Sequence, residues 1–294
     1  MQILGKYLQL NLLLFFVFLT GELCATPKYY FKQISLQDGL SQSSVKCVLV
    51  DDRGVIWIGT RFGLNRFDRE KVTVYQEEKD NPHSLPYNDI VFLEEDAERH
   101  IWVGTSRGLA YFDRDTQKFI RQKIDGEPVV VTCCFLMPDG IYFLGKKGGF
   151  CYSYAEKKIF KCPEKGQLPD LLPNYAFLYN KEDRKVLFSS LGSGLWWYYP
   201  DTGEIEQVSF IQEKNISSMY LDSQERIWVA VYNKGVYCYT HDGELLEHLE
   251  APDRLTHNIV QDMREKDGEL WIATDGGGIN IYNYKDKSVK AIMH

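Results

Sequence analysis

Beyond its first 25 residues, the sequence of 294 contains no stretch that reads as a helix longer than one turn. That leaves an all-β chain. It also lacks an excess of positive charge. The net formal charge is −7, so neither nucleic acid nor an anionic membrane surface is expected as the partner of this region. It lacks any CxxC spacing or Cys/His cluster of metal-ligand form, so no metal and no other cofactor is called for. The histidines at 83, 100, 241, 248, 257 and 294 are scattered. None has a spaced carboxylate or nucleophile beside it, so no catalytic residue is assigned and the chain does not read as an enzyme.

What is present in quantity is aromatic, at 14% of residues. The aromatics sit in a recurring hairpin. VIWIGTRFGLNRFD, Val55 to Asp68, pairs a β-branched and aromatic strand with a return strand across a turn closed by Gly63. The hairpin recurs at Ile101–Asp113, Ile141–Tyr154, Val186–Tyr199, Ile227–Tyr239 and Leu270–Tyr282. The aromatic anchors read as Trp57, Trp102, Phe143, Phe188, Trp228 and Trp271, spaced 45, 41, 45, 40 and 43 residues apart. The closing glycines read as Gly63, Gly108, Gly149, Gly194, Gly235 and Gly278.

A strand-rich period near 43 with a fixed aromatic is a propeller signature. One blade cannot bury both its faces, so neighbouring blades must stack. Inner and outer strands flank each hairpin, giving six blades of four antiparallel strands. Tyr29–Ile34 reads as one extra outer strand. With the last blade already complete, six blades and a spare strand fit an incomplete seven-bladed ring better than a closed six-bladed one. The third blade reads as the most divergent, with Phe143 for Trp, Lys146 for Thr and Ser153 at a position that is aromatic elsewhere.

Residues 1–25 read as a signal peptide. Lys6 supplies the positive end, an apolar run follows from Leu10 to Leu19, and Ala25 ends it. Residues 26–294 are then an exported β-propeller, and export permits disulfides. Cys151 and Cys162 are placed symmetrically about a turn, although small buried strand residues are the plainer reading of every cysteine.

The run QDGLSQSSVKCVLVDDRGVIWIGTRFGLNRFD, Gln37 to Asp68, closely resembles the two-component regulator propeller repeat. Leu85 to Asp113 is similar, and so is the preceding link NPHSLP, Asn81 to Pro86. The sixth unit, LTHNIVQDMREKDGELWIATDGGGINIYNY, matches fairly, and the third to fifth are weaker. The resemblance implies a periplasmic sensor region of a hybrid two-component histidine kinase. In that family two seven-bladed propellers precede a β-sandwich, a membrane helix and the kinase, and glycan fragments are the common ligands. This sequence holds none of the kinase, receiver or DNA-binding parts and stops at His294, as a fragment would. Further propeller and kinase domains, an oligosaccharide and a second copy of the chain are therefore the expected partners.

The hairpin loops and the links from outer to inner strands should share one rim of the ring. Arg61, Arg107, Lys146, Lys147 and Lys234 fall on those loops, with Phe62, Tyr87, Tyr175 and Tyr232 nearby. Cations beside flat aromatic faces suit an acidic oligosaccharide. Asp275 in the sixth loop counts against it, and solvated charged turns are the bland alternative. Two other functions compete: a seven-bladed antibiotic lyase, similar in size and in its glycine-tryptophan repeats, and a pure protein-interaction scaffold. Asp51-Asp52-Arg53-Gly54 is loosely similar to the Asp-box of sialidases, but a turn between two strands is the plainer reading.

Overall fold

The structure is a computed structural model that describes residues 29, 31–165, 173–180, 184–190 and 192–293, without the side chains of 173 and 175–180. All the blades lie in one compact unit, Leu36–His294. The expected signal peptide, residues 1–25, lies outside the described residues, as does the side chain of Tyr175. Among the described residues no helix is long and apolar enough to cross a membrane. The extra strand expected over Tyr29–Ile34 does not form at its described residues. The outer edge of the last sheet is already taken by Val289–Ile292.

Six four-stranded antiparallel sheets follow one another, each in the order inner, second, third, outer. The first blade is Val45–Val50, Ile56–Thr60, Gly63–Phe67 and Val72–Tyr75. The second is Ile90–Glu95, Ile101–Thr105, Gly108–Asp113 and Lys118–Arg121. The third is Cys133–Met137, Gly140–Gly145, Gly148–Ser153 and Lys158–Lys161. The fourth is Pro173–Asn180, Lys185–Ser190, Gly194–Tyr199 and Glu204–Gln207. The fifth is Ile216–Leu221, Ile227–Val231, Gly235–Tyr239 and Leu245–Leu249. The sixth is Val260–Lys266, Glu269–Thr274, Gly278–Asn283 and Val289–Ile292. The fold is an all-β, six-bladed propeller.

Consecutive blades are joined by five apolar cores. The rule of assembly is aromatic. The anchor of one blade meets a ring on the third strand of the next: Trp57 with Phe112 at 5.2 Å, Trp102 with Tyr152 at 4.9 Å, and Trp228 with Tyr282 at 5.3 Å. These tilted and edge-on geometries suit ring quadrupoles. No buried cluster joins the sixth blade to the first among the described residues. Val48 and Val50 on the first inner strand are 55% and 60% exposed, and Trp271 is only partly buried.

Strand register corrects two of the anchors. Trp57, Trp102, Trp228 and Trp271 each stand three residues before the residue that pairs with the closing glycine. In the third blade Gly145 pairs with Gly148, which puts Tyr142 in that place. In the fourth, Ser190 pairs with Gly194, which puts Leu187 there. Tyr142 faces the fourth blade, whereas Phe143 faces back into the core shared with the second. Likewise Leu187 faces the fifth blade, and Phe188 faces back to the third. A one-residue slip in reading a strand exchanges its two faces. The same slip accounts for Ser153, because Tyr152 holds the aromatic place opposite Ile141. It also accounts for Gly149: Gly148 closes the loop at φ 103°, and Gly149 is packed beneath the Tyr198 hydroxyl. The third blade is therefore regular but one residue shorter than the first, second and fifth in the turn between its first and second strands.

All six cysteines from Cys47 onward are free, including Cys151 and Cys162. Cys151 pairs with Phe160, while the Cys162 amide bonds the Gly149 carbonyl.

Candidate functional site: the loop rim and the central channel

Hairpin loops and inter-blade links share one rim, as expected. The Gly63 amide donates to the Asn88 carbonyl at 2.8 Å, and the Ser106 amide to the Asp89 carbonyl at 3.0 Å. The loops are braced from below. Thr60 Oγ1 donates to the Gly63 carbonyl at 3.0 Å and Thr105 Oγ1 to that of Gly108 at 2.7 Å. Gly63 has φ 122°, and a Cβ there would lie 2.5 Å from the Tyr75 carbonyl oxygen, so glycine is required.

Between the first two hairpin loops lies a pocket of about 490 Å³ lined by Arg61, Phe62, Tyr87, Asn88, Asp89, Ser106 and Arg107. Four of the residues expected to bind are thus together: Arg61, Phe62, Tyr87 and Arg107. The Arg107 guanidinium stacks over the Tyr87 ring at 4.1 Å, which fixes its plane. Phe62 is 56% exposed and offers a free flat face. Asp89 is the one acid in the pocket, and Lys46 Nζ neutralises it at 2.9 Å. The remaining expected residues stand on other blades. Lys146 and Lys147 occupy the third loop, exposed. Tyr232 is exposed on the fifth, where Lys234 is tied to Glu213 at 2.7 Å, a bond that raises its pKa. The structure therefore gathers one two-blade pocket, not a continuous cationic ring.

A larger space runs down the axis. It measures about 840 Å³ and is lined by the inner strands of all six blades, among them Lys46, Glu94, Cys134, Asn174, Tyr220 and Arg264. Burial pushes the thiols of Cys47 and Cys133 up to about 12, which leaves them unreactive. Burial also pushes the Glu94 carboxyl up to about 7. Sequence reading missed this channel. Its lining comes from inner strands spread over more than 200 residues, and nothing local marks Glu94 apart from the neighbouring Glu95.

A family model described as "Two component regulator propeller" matches residues 39–62. The chain carries a two-component regulator propeller repeat. A stretch of 71 residues is 39% identical to histidine kinase P4 of Formosa agariphila, covering 24% of this chain and 5% of that protein. Among solved structures, an extracellular domain assigned to a hybrid two-component system of B. thetaiotaomicron superposes with TM-score 0.75 at 20% identity. That likeness covers 91% of this chain and 37% of the other. Virginiamycin B lyase from Staphylococcus aureus superposes with TM-score 0.65 at 12% identity, covering 86% and 85%. The chain thus spans a small part of the kinase and about a third of the extracellular domain, and the two superpositions establish the propeller fold alone.

In the first, second and fifth blades, an aspartate six residues before the tryptophan holds it. Asp51, Asp96 and Asp222 are each buried. One carboxylate oxygen accepts backbone amides two and four residues on, at 2.9–3.0 Å. The other accepts the indole N–H, at 2.9, 2.7 and 2.7 Å for Trp57, Trp102 and Trp228. The Asp-box-like segment at Asp51 is therefore a turn clasp. The same geometry explains the one metal-like group among the described residues, Asp96, Glu98 and His100, whose ligand atoms lie within 4.8 Å of one another. Both Asp96 oxygens are already engaged, His100 Nδ1 sits 3.1 Å from one of them, and Glu98 is bonded by Lys157.

Proposed function

We propose that this chain is the extracytoplasmic, ligand-sensing propeller of a two-component signalling system, and that it binds an acidic glycan fragment without catalysis. The signal would pass to a histidine kinase that this sequence does not include, through further propeller or membrane-spanning segments and in a paired copy. The repeat match and the likeness to an extracellular domain assigned to a hybrid two-component system support the sensor role.

The observation that carries the ligand class is the rim pocket, where Arg61 and the Arg107 guanidinium stacked on Tyr87 meet the exposed Phe62 ring. A planar guanidinium held by an aromatic suits a bidentate carboxylate, and the flat ring suits a sugar face. The test is calorimetry with trigalacturonate against its neutral counterpart, α-1,4-galactotriose. Trigalacturonate binds the more tightly, and Arg61→Ala with Arg107→Ala weakens it roughly 10-fold or more, since each charge-assisted bond contributes about 1.5–3 kcal/mol. Equal affinity for the two sugars, or unchanged binding by the double variant, removes the proposal.

A further inference from the structure

The central channel holds one acid with no ion-pair partner among the described residues. Its lining includes Lys46, Glu94, Asp262 and Arg264. Lys46 is paired with Asp89, and Arg264 Nη1 lies 2.9 Å from Asp262 Oδ1. Glu94 makes no such pair among the described residues. Its one hydrogen bond comes from the Glu95 amide at 3.3 Å, beyond the usual range. The other titratable groups around it are Cys47 on the first blade, Cys133 and Cys134 on the third, and Tyr220 on the fifth. Tyr154 of the third blade also feels its charge. None is cationic. A carboxylate so placed loses part of its hydration and gains no ion-pair partner, an arrangement that makes it a candidate binding group.

We infer that the channel is a binding site for an organic ammonium ion with an apolar body, the ammonium seated at Glu94 and the body against Phe92, Met219 and Tyr220. The charge follows from the carboxylate that lacks an ion-pair partner. The apolar body follows from those three walls and from a volume far larger than a bare ion needs. A metal ion fits poorly, because Glu94 belongs to no ligand cluster among the described residues. The inference does not rest on the rim pocket.

Binding is proton-linked. An ammonium ion needs the ionised carboxylate, and Glu94 ionises only as pH rises through about 7. At pH 5.5 about one carboxyl in thirty is ionised, against nearly all at pH 8.5, so affinity falls roughly 30-fold on acidification. The experiment is calorimetry on the whole chain with hexylammonium chloride at both pH values, with 1-hexanol as the neutral control. Hexylammonium binds at pH 8.5 and weakens about 30-fold at pH 5.5, hexanol shows no such change, and Glu94→Gln reduces hexylammonium to the level of hexanol. A second measurement uses the unaltered protein: the Glu94 carboxyl titration, followed by carbon-13 NMR, moves to lower pH when hexylammonium is saturating. No binding at pH 8.5, equal affinity at both pH values, or a Glu94 titration that does not move overturns the inference.

Discussion

Replacing Asp96 tests whether the aspartate clasps hold the ring together. Trp102 is fully buried between the second and third blades, and its indole N–H has Asp96 Oδ2 as acceptor at 2.7 Å. In Asp96→Ala that donor is left unsatisfied, at a cost of about 1–3 kcal/mol. The Glu98 and His100 amides lose an acceptor as well, each at 2.9 Å. They lie nearer solvent, so about 0.5–1 kcal/mol apiece is reasonable. The sum is a loss of roughly 2–5 kcal/mol, a large part of the stability of an ordinary domain. Asp96→Asn separates the two contributions. The amide oxygen can keep the turn, but its NH₂ group then faces the indole N–H, donor against donor. Stability should fall in the order wild type, Asn, Ala. Urea unfolding followed by indole fluorescence gives the size of each loss. Hydrogen exchange gives its location, since cooperativity between stacked repeats is not guaranteed. An Asp96→Ala protein within about 0.5 kcal/mol of wild type, or an Asn variant weaker than Ala, would refute the clasp as a stabilising device.

Two further outcomes follow from burial and charge. Trp57→Ala should cost about 3–5 kcal/mol by chemical denaturation, because Trp57 is enclosed against Phe112. Trp271→Ala should cost clearly less, since Trp271 is only partly buried, and equal losses would mean that the sixth blade is covered as the others are. Glu94→Gln should stabilise the unliganded protein in a pH-dependent way. A carboxyl raised from 4.5 to about 7 adds stability below pH 4.5 and loses it as pH rises through 7, so the variant gains up to about 3 kcal/mol at pH 8 and nothing at pH 4. Thermal unfolding across that range checks it, and a gain that is independent of pH would contradict the assignment.

The sequence by itself determined the architecture. Antiparallel hairpins at a steady period carry local information: alternating faces, a threonine that braces the loop, and a glycine where Gly63 must take a positive φ. Each unit is incomplete alone, so repetition implies stacking. The pairing of Arg61, Phe62 and Arg107 was also legible, because adjacent loops on one rim must be neighbours.

Tertiary structure decided the rest. Whether Tyr142 or Phe143 faces the fourth blade turns on a single residue of register, which only the pairing of Gly145 with Gly148 fixes. Of the five cations expected on one rim, only Arg61 and Arg107 share a pocket, because Lys234 is held by Glu213 and the third loop stands apart from the Arg61–Arg107 pocket. Glu94 gained its raised pKa only when inner strands from six distant segments converged and reduced its hydration. Local strand and turn chemistry is written within a few residues, whereas the dielectric and charge balance around one carboxyl belong to the whole ring.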